Sequence, residues 1–231
     1  MKRNRLWGEL IHLFYPNVCV VCGNELLPGE EGVCLQCLYK LPKTHNFNEP
    51  DNDLEKLMAG RIPFERIASY AVYAKGGTLP PLIHHLKYRH KQAIGLLLGR
   101  MFGKDLMESE FLDSIDLIVP VPLHPKREKF RGYNQAEIIA KGLSDITSLP
   151  LSTNNLVRII YNPTQTKRTK TERWENVKDI FKVTDPLLFQ QKHLLLVDDV
   201  ITTGSTLEAC GIALQACKGV KISIATLGEV F

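Results

Sequence analysis

Apolar stretches alternate with amphipathic ones between residues 67 and 227. The apolar stretches are IASYAVYA (67–74), DLIVPVP (116–122), LVRII (156–160), HLLLVDDV (193–200) and KISIATL (221–227). Several are apolar at consecutive positions, which is typical of strands buried on both faces of a parallel sheet. Apolar residues recur at helical spacing over 79–87, 92–108, 134–145 and 204–217. The alternation predicts an α/β fold with an open, doubly wound, mostly parallel sheet, in which ligands bind beyond the carboxyl ends of the strands.

The first 60 residues follow a different pattern. Apolar residues between Leu6 and Phe14 have helical spacing and predict a short amphipathic helix. The stretch 42–63 is polar and rich in turn residues, which predicts a linker with one helical turn in it. We therefore expect a small N-terminal unit over 1–50 and a larger domain over 60–231.

Composition limits the function classes. The chain has 231 residues, 44% of them apolar, and a formal net charge of +4. That size allows one α/β domain with a small appendage, and the mild charge predicts that anions are bound by local clusters of cations. No apolar run approaches the length that a membrane span requires, and the first 16 residues lack the pattern of a signal peptide. These features predict a cytoplasmic protein without stable membrane insertion.

Four of the six cysteines fall within 19 residues, as Cys19-x2-Cys22-x11-Cys34-x2-Cys37. Two CxxC pairs allow four thiolates to converge on one tetrahedral ion, and the glycines between them supply turns. This spacing predicts a structural zinc ribbon; a disulfide or redox role is the alternative, and nothing indicates an oxidising compartment. Cys210 and Cys217 lie on one face of a predicted helix and are expected to be buried core residues.

The stretch LLLVDDVITTGST (194–206) places two carboxylates at the end of an apolar strand, before a predicted helix. Unpaired backbone N–H groups at a helix N-terminus suit a phosphate, and the hydroxyl residues around Gly204 add donors. The carboxylates would repel that phosphate, so they should contact sugar hydroxyls or a magnesium ion. The pattern therefore indicates a ribose 5-phosphate unit, with helix capping and solvation of the carboxylates as the alternative.

Two further segments are rich in cations. LHPKREKFRGYNQAE (123–137) follows a predicted strand and carries Lys126, Arg127, Lys129 and Arg131 within six positions, which suits a diphosphate or a solvated surface. NPTQTKRTKTERWENVKDIF (162–181) is too polar to be core. It is either a basic surface loop, which could contact nucleic acid, or a polar lid that closes over an anionic ligand.

Residues 194–206 resemble the phosphoribosyl pyrophosphate (PRPP) loop of type I phosphoribosyltransferases. The wider signature is KY at 87 and 88, VPVPLHP with RGYNQAE, the polar segment over 165–181, and the four-cysteine ribbon. Over residues 15–231 it resembles the ComF family, whose members are named for natural competence, where they accompany a DNA-uptake helicase, or for gluconate utilisation. One departure is the lid sequence QTKRTKTER, which is more basic than the family pattern.

The resemblance implies a role for each segment. Asp198 and Asp199 would contact the ribose hydroxyls, and Lys126, Arg127 and Arg131 the pyrophosphate. Catalytic roles would fall to Lys87, Arg168 and Arg173, with magnesium bound alongside PRPP. The acceptor would lie under a hood made of the ribbon and residues 75–95. The residues that would hold the 5-phosphate are Thr202, Thr203, Gly204, Ser205 and Thr206.

Two hypotheses of function follow. The first is an enzyme that transfers a phosphoribosyl group from PRPP to an unidentified acceptor. The second is a non-catalytic PRPP-binding accessory that binds single-stranded DNA or the DNA-uptake helicase through the ribbon and the basic segments. A homodimer is compatible with either hypothesis.

Overall fold

The computed structural model describes residues 17–160 and 180–230. Four of the strands in these residues are β1 Ile67–Val72, β2 Leu117–Pro120, β5 His193–Ile201 and β6 Lys221–Glu229. They form one parallel sheet in the order β1-β6-β5-β2. All four had been predicted from the apolar runs, and the open parallel sheet is confirmed.

Helices pack on both faces of this sheet. The α-helices in the described residues are α1 Leu35–Tyr39, α2 Asp53–Met58, α3 Leu79–Tyr88, α4 Gln92–Met107, α5 Pro125–Arg131, α6 Gln135–Thr147 and α7 Ser205–Leu214. Buried residues of α3, α4 and α6 share one hydrophobic cluster with one face of the sheet. Those of α2 and α7 share a second cluster with the other face. The sheet is therefore doubly wound, and its strands are apolar on both sides because both sides are covered.

The third predicted strand lies outside the parallel sheet. β3 (Leu156–Arg158) pairs in antiparallel register with β4 (Phe181–Val183), so that Arg158 lies opposite Phe181. β4 had not been predicted, and the assignment of 156–160 to the sheet is wrong. This two-stranded hairpin brackets residues 161–179, where the lid segment is predicted; Arg168 and Arg173 lie there, outside the described residues.

The segment 42–63 is not a polar linker. It contains a 3-10 helix at Asn46–Asn48 and then α2, whose Leu54 and Met58 are almost fully buried. The Asn52 side chain caps α2 by accepting from the N–H groups of Leu54 and Glu55, and its amide donates to the Ile67 carbonyl at 2.9 Å. These polar side chains satisfy main-chain groups, so a polar sequence forms part of the interior.

The four-cysteine ribbon packs against the α3 and α4 side of the molecule. Val33, Leu38 and Leu41 are buried in the same cluster as the apolar faces of these helices. The predicted helix over 4–15 lies outside the described residues. In the described part of the chain, no helix is long and apolar enough to cross a bilayer.

Candidate ligand site at the carboxyl edge of the sheet

Asp198 and Asp199 are the sixth and seventh of the nine residues of β5, towards the carboxyl edge of the parallel sheet. The Asp198 carboxylate accepts a hydrogen bond from the Asp199 N–H at 2.8 Å, and the Lys87 ammonium group donates to Asp199 Oδ1 at 2.8 Å. Burial and the neighbouring Asp199 charge raise the pKa of Asp198 to about 7, against the opposing effects of Lys87 and Arg158. A pKa in that range means that Asp198 changes its ionisation near neutral pH.

The residues after this pair form a turn into α7. Thr202, Thr203, Ser205 and Thr206 are exposed, whereas Gly204 is buried. Gly204 has φ +72°, and a Cβ atom there would lie 2.3 Å from Met58 Sδ, so only glycine fits. Ser205 begins α7, and the first N–H groups of that helix have no partner within it. The turn thus presents hydroxyl and amide donors together, as predicted for a phosphate-binding loop.

The predicted pyrophosphate segment forms a helix and not a loop. α5 begins after His124, whose side chain accepts from the Lys126 N–H at 3.1 Å, and ends at Gly132 with φ +82°. Gly132 terminates α5 in the left-handed conformation that favours glycine. No residue of α5 is buried, so Lys126, Arg127 and Arg131 lie on an accessible basic helix next to the carboxyl end of β2.

Helix α3 connects these two segments. Lys87 on α3 binds Asp199, and the next residue, Tyr88, lies under the Arg131 guanidinium, 5.2 Å from ring centroid to Cζ. The ring of His84, one turn earlier, lies 5.2 Å from the ring of Tyr88. The adjacent residues Lys87 and Tyr88 therefore link the carboxylate pair to the basic helix, which places both predicted phosphate-binding segments on one side of the molecule.

Arg158, at the end of β3, is a site residue that sequence reasoning missed. Its guanidinium lies over the Phe181 ring at 5.5 Å. Burial and the charge of Arg127 lower the pKa of Arg158, while Cys210 and Asp198 raise it. Arg158 is therefore within electrostatic range of the basic helix and the carboxylate pair, at the base of the predicted lid. The only signal in the sequence was a cation in an apolar run, LVRII.

Arg61 was missed as well, because it lies in the segment interpreted as a linker. Its guanidinium donates to Glu208 Oε2 from Nη2 at 2.5 Å and from Nε at 3.0 Å. Its Nη1 donates to the Thr203 carbonyl. Nothing in the residue pattern relates position 61 to position 203, because their contact depends on the packing of α2 beneath the loop.

The four ribbon cysteines converge as predicted. Their sulfur atoms all lie within 4.8 Å of one another, and Cys22 Sγ is 3.8 Å from Cys34 Sγ. Tetrahedral zinc with Zn–S bonds of about 2.3 Å places its sulfur ligands about 3.8 Å apart, so this geometry fits the metal. Burial raises the pKa of Cys19, but the N–H groups of Cys22, Cys34 and Val21 outweigh it and lower the value to about 6. Cys210 and Cys217 are buried thiols, as predicted.

Two cavities lie between the ribbon and the segment that was expected to form a hood with it. A cavity of about 480 Å³ lies between the ribbon residue Val21 and a group from the β1–α3 region that includes Tyr73, Thr78 and His84. A second cavity, of about 640 Å³, lies between the ribbon and His85, Lys91 and Ile94. Space for an organic ligand thus exists between the ribbon and α3, and His84 of that helix lines the first cavity.

Comparisons with known proteins identify the family of this chain. The phosphoribosyl transferase domain family matches residues 131–229. Competence protein ComFC of Bacillus subtilis is 34% identical over 235 residues, which cover 91% of this chain and 94% of that protein. The chain belongs to the ComF family. Another relative is DNA utilization protein YhgH of Escherichia coli, 30% identical over 209 residues that cover 84% of this chain and 88% of YhgH.

Other relatives are more distant. Competence protein F of Haemophilus influenzae is 26% identical over 205 residues, which cover 84% of this chain and 89% of competence protein F. Among solved structures, a purine phosphoribosyltransferase from Pyrococcus horikoshii aligns with a TM-score of 0.36 at 20% identity, covering 58% of this chain and 70% of that one.

Proposed function

We propose that this protein binds PRPP together with Mg²⁺ at the carboxyl edge of its sheet. Asp198 and Asp199 accept hydrogen bonds from the ribose hydroxyls, and the turn at 202–206 holds the 5-phosphate. The observation that carries the proposal is the carboxylate pair near the end of β5, followed after Val200 and Ile201 by exposed hydroxyls and the N-terminus of α7. A sugar phosphate has the matching chemistry, because it offers hydroxyl donors next to an anion.

The pyrophosphate of PRPP lies against α5 in this proposal. Lys126, Arg127 and Arg131 offset its negative charge, and Arg168 and Arg173 of the predicted lid over 162–181, which lie outside the described residues, would add further positive charge. Support comes from the link through α3: Arg131 lies against Tyr88, and Lys87 lies against the carboxylate pair. Arg158 adds a cation that interacts electrostatically with both Arg127 of α5 and Asp198.

The proposed reaction is transfer of the phosphoribosyl group to an acceptor. The bond between the anomeric carbon and the pyrophosphate oxygen breaks, the pyrophosphate leaves with the electron pair, and the acceptor nucleophile bonds to that carbon. Bound Mg²⁺ would supply positive charge to the phosphates. Cations of α5 and Lys87 stabilise the charge that builds on the leaving group, and positioning contributes most of the acceleration. The hood cavity beside His84 has room for the acceptor.

We further propose that Cys19, Cys22, Cys34 and Cys37 hold a structural zinc ion. Four cysteine ligands complete a tetrahedral site and leave no position for a substrate. The relatives named for competence and DNA utilization support a role for this protein in DNA uptake, with the reaction or the bound PRPP regulating that role.

The test is calorimetric titration of Mg²⁺ and PRPP into the full-length, zinc-loaded protein. We expect micromolar binding by the wild type and none by the double variant Asp198→Asn/Asp199→Asn. Asp145→Asn is a matched control, because Asp145 lies in a surface pair with Arg100 away from the site. Binding lost only in the double variant supports the site, and a wild type that binds no PRPP overturns it. Release of pyrophosphate with a panel of acceptors then tests turnover.

A second candidate is a non-catalytic accessory that binds single-stranded DNA and uses PRPP as a regulatory ligand. The observation that favours it is Phe130, 83% exposed in the last turn of the basic helix α5; Tyr88, which contacts Arg131 of that helix, is 54% exposed. Aromatic side chains among cations are typical of surfaces on which bases stack. Fluorescence anisotropy with labelled single-stranded DNA should show affinity that falls steeply with salt and weakens in Phe130→Ala. A flat salt dependence would exclude this candidate.

A further inference from the structure

Arg61 contacts the phosphate-binding turn from the side of α2. It donates to the main-chain carbonyl of Thr203 and forms a forked ion pair with Glu208, in the first turn of α7. Both side chains of the pair are mostly enclosed, with 25% of Arg61 and 15% of Glu208 exposed. Met58 packs against Gly204, since its sulfur lies only 2.3 Å from the position that a Cβ atom of residue 204 would take. The turn is therefore held from beneath by two residues of one segment.

The contact with Thr203 fixes the orientation of a peptide group. In a trans peptide the C=O and the following N–H point in opposite directions. Because Arg61 binds the Thr203 carbonyl, the Gly204 N–H is directed away from Arg61, towards the opposite side of the turn. An N–H held in that orientation needs no reorganisation when it donates to an anion.

The pair with Glu208 has an electrostatic consequence. A carboxylate in the first turn of α7 would repel a phosphate at the N-terminus of the same helix. The Arg61 guanidinium lies directly on that carboxylate and offsets its charge. Arg61 therefore affects the phosphate site in two ways: it orients the peptide group between Thr203 and Gly204, and it offsets the charge of Glu208.

We propose that Arg61 is a positioning residue for the 5-phosphate of PRPP, which it orders through Thr203 and Glu208 without contacting the ligand. This inference rests on the proposed PRPP site and extends it to a residue outside the binding loops. It predicts a selective effect: ligands with a 5-phosphate depend on Arg61, and ligands that contact only α5 do not.

The experiment compares three ligands by calorimetry on the full-length, zinc-loaded protein: PRPP with Mg²⁺, ribose 5-phosphate, and pyrophosphate with Mg²⁺. Arg61→Ala should weaken binding of the first two by about tenfold or more and leave pyrophosphate binding within about twofold. Arg61→Lys keeps the charge but loses the fork, so its affinity should lie between those of the wild type and Arg61→Ala. This conservative variant also protects the test against misfolding of Arg61→Ala.

Arg66→Ala is the matched control. Arg66 is 27% exposed, pairs with Glu55 and donates to the Phe47 carbonyl, so it makes the same kinds of contact as Arg61 without reaching the turn at 202–206. It should lower thermal stability as much as Arg61→Ala while leaving all three affinities unchanged. Equal losses for all three ligands, or unchanged binding in Arg61→Ala, would overturn the inference while the PRPP site stands. A wild type that binds no PRPP would overturn both.

Discussion

The Lys87 ammonium group lies 2.8 Å from the Asp199 carboxylate, and the two side chains are only 23% and 13% exposed. The pair joins the last turn of α3 to the end of β5. Because the neighbouring Tyr88 contacts Arg131, α3 is the element through which the carboxylate pair and the basic helix α5 meet. Lys87 is therefore placed to respond to any ligand that binds Asp199.

Replacing Lys87 by Gln should weaken binding of Mg²⁺ and PRPP by about tenfold and lower the free energy of unfolding by about 1–3 kcal/mol, because two adjacent carboxylates lose their cation. Calorimetry and urea unfolding measure the two effects. Lys56→Gln is the control, since Lys56 pairs with Asp53 on an exposed surface and should change neither quantity. Unchanged PRPP affinity in Lys87→Gln would remove Lys87 from the site.

Binding of Mg²⁺ and PRPP should depend on the ionisation of Asp198, whose pKa is raised to about 7 by burial and by Asp199. Only the ionised carboxylate accepts hydrogen bonds with both oxygens, so affinity should fall as pH drops below about 7. Titrations from about pH 6 to about pH 9 measure this step. Asp198→Asn should bind weakly at every pH; a step that persists in this variant would have to come from the ligand or another group.

The raised pKa of Asp198 also predicts how folding stability depends on pH. The dependence has the opposite sign from that of an aspartate whose pKa is lowered on folding. A carboxyl whose pKa is higher in the folded state favours the folded state when protonated, so its contribution is lost as pH rises from about 4 through about 7. Asp198→Asn should therefore unfold at a higher temperature than the wild type at about pH 8, and at a similar temperature at about pH 4. Thermal unfolding at both values checks the sign.

The sequence predicted those parts of the site that depend on local pattern. Asp198, Asp199 and Gly204 are contiguous with a buried strand and a helix start, and parallel sheets collect ligands at the carboxyl ends of strands. Arg61 and Arg158 depend on contacts between segments far apart in the chain. α2 was missed because its polar residues, Asn52 and Glu55, satisfy main-chain groups in the interior. Asn and Glu are mostly exposed in folded proteins, so their presence in the sequence predicts an exposed segment.

Gly204→Ala should abolish measurable PRPP binding and destabilise the fold by about 1–3 kcal/mol, because φ +72° is strained for alanine and the new methyl group would collide with Met58. Calorimetry and urea unfolding measure both effects. Gly29→Ala is the control: Gly29 has φ +94° with nothing within 4 Å of an added Cβ atom, so it should show backbone strain without loss of PRPP binding. Equal PRPP affinity in the two variants would exclude a tightly packed phosphate loop.

Zinc binding to the ribbon should stabilise the main domain as well as the ribbon. Val33, Leu38 and Leu41 of this segment share a cluster with α3 and α4, so unfolding the ribbon exposes part of the main core. Structural zinc contributes its binding free energy to folding, and Cys22→Ser removes one ligand of the set. We expect one zinc per wild-type chain and little zinc in Cys22→Ser. The melting temperature of Cys22→Ser should be lower than that of the wild type by about 5 °C or more. Cys217→Ala, which removes a buried thiol outside the ribbon, should keep its zinc. Metal analysis measures the zinc content, and thermal unfolding measures the change in stability. Full zinc content in Cys22→Ser would show that the ribbon thiols do not hold the ion.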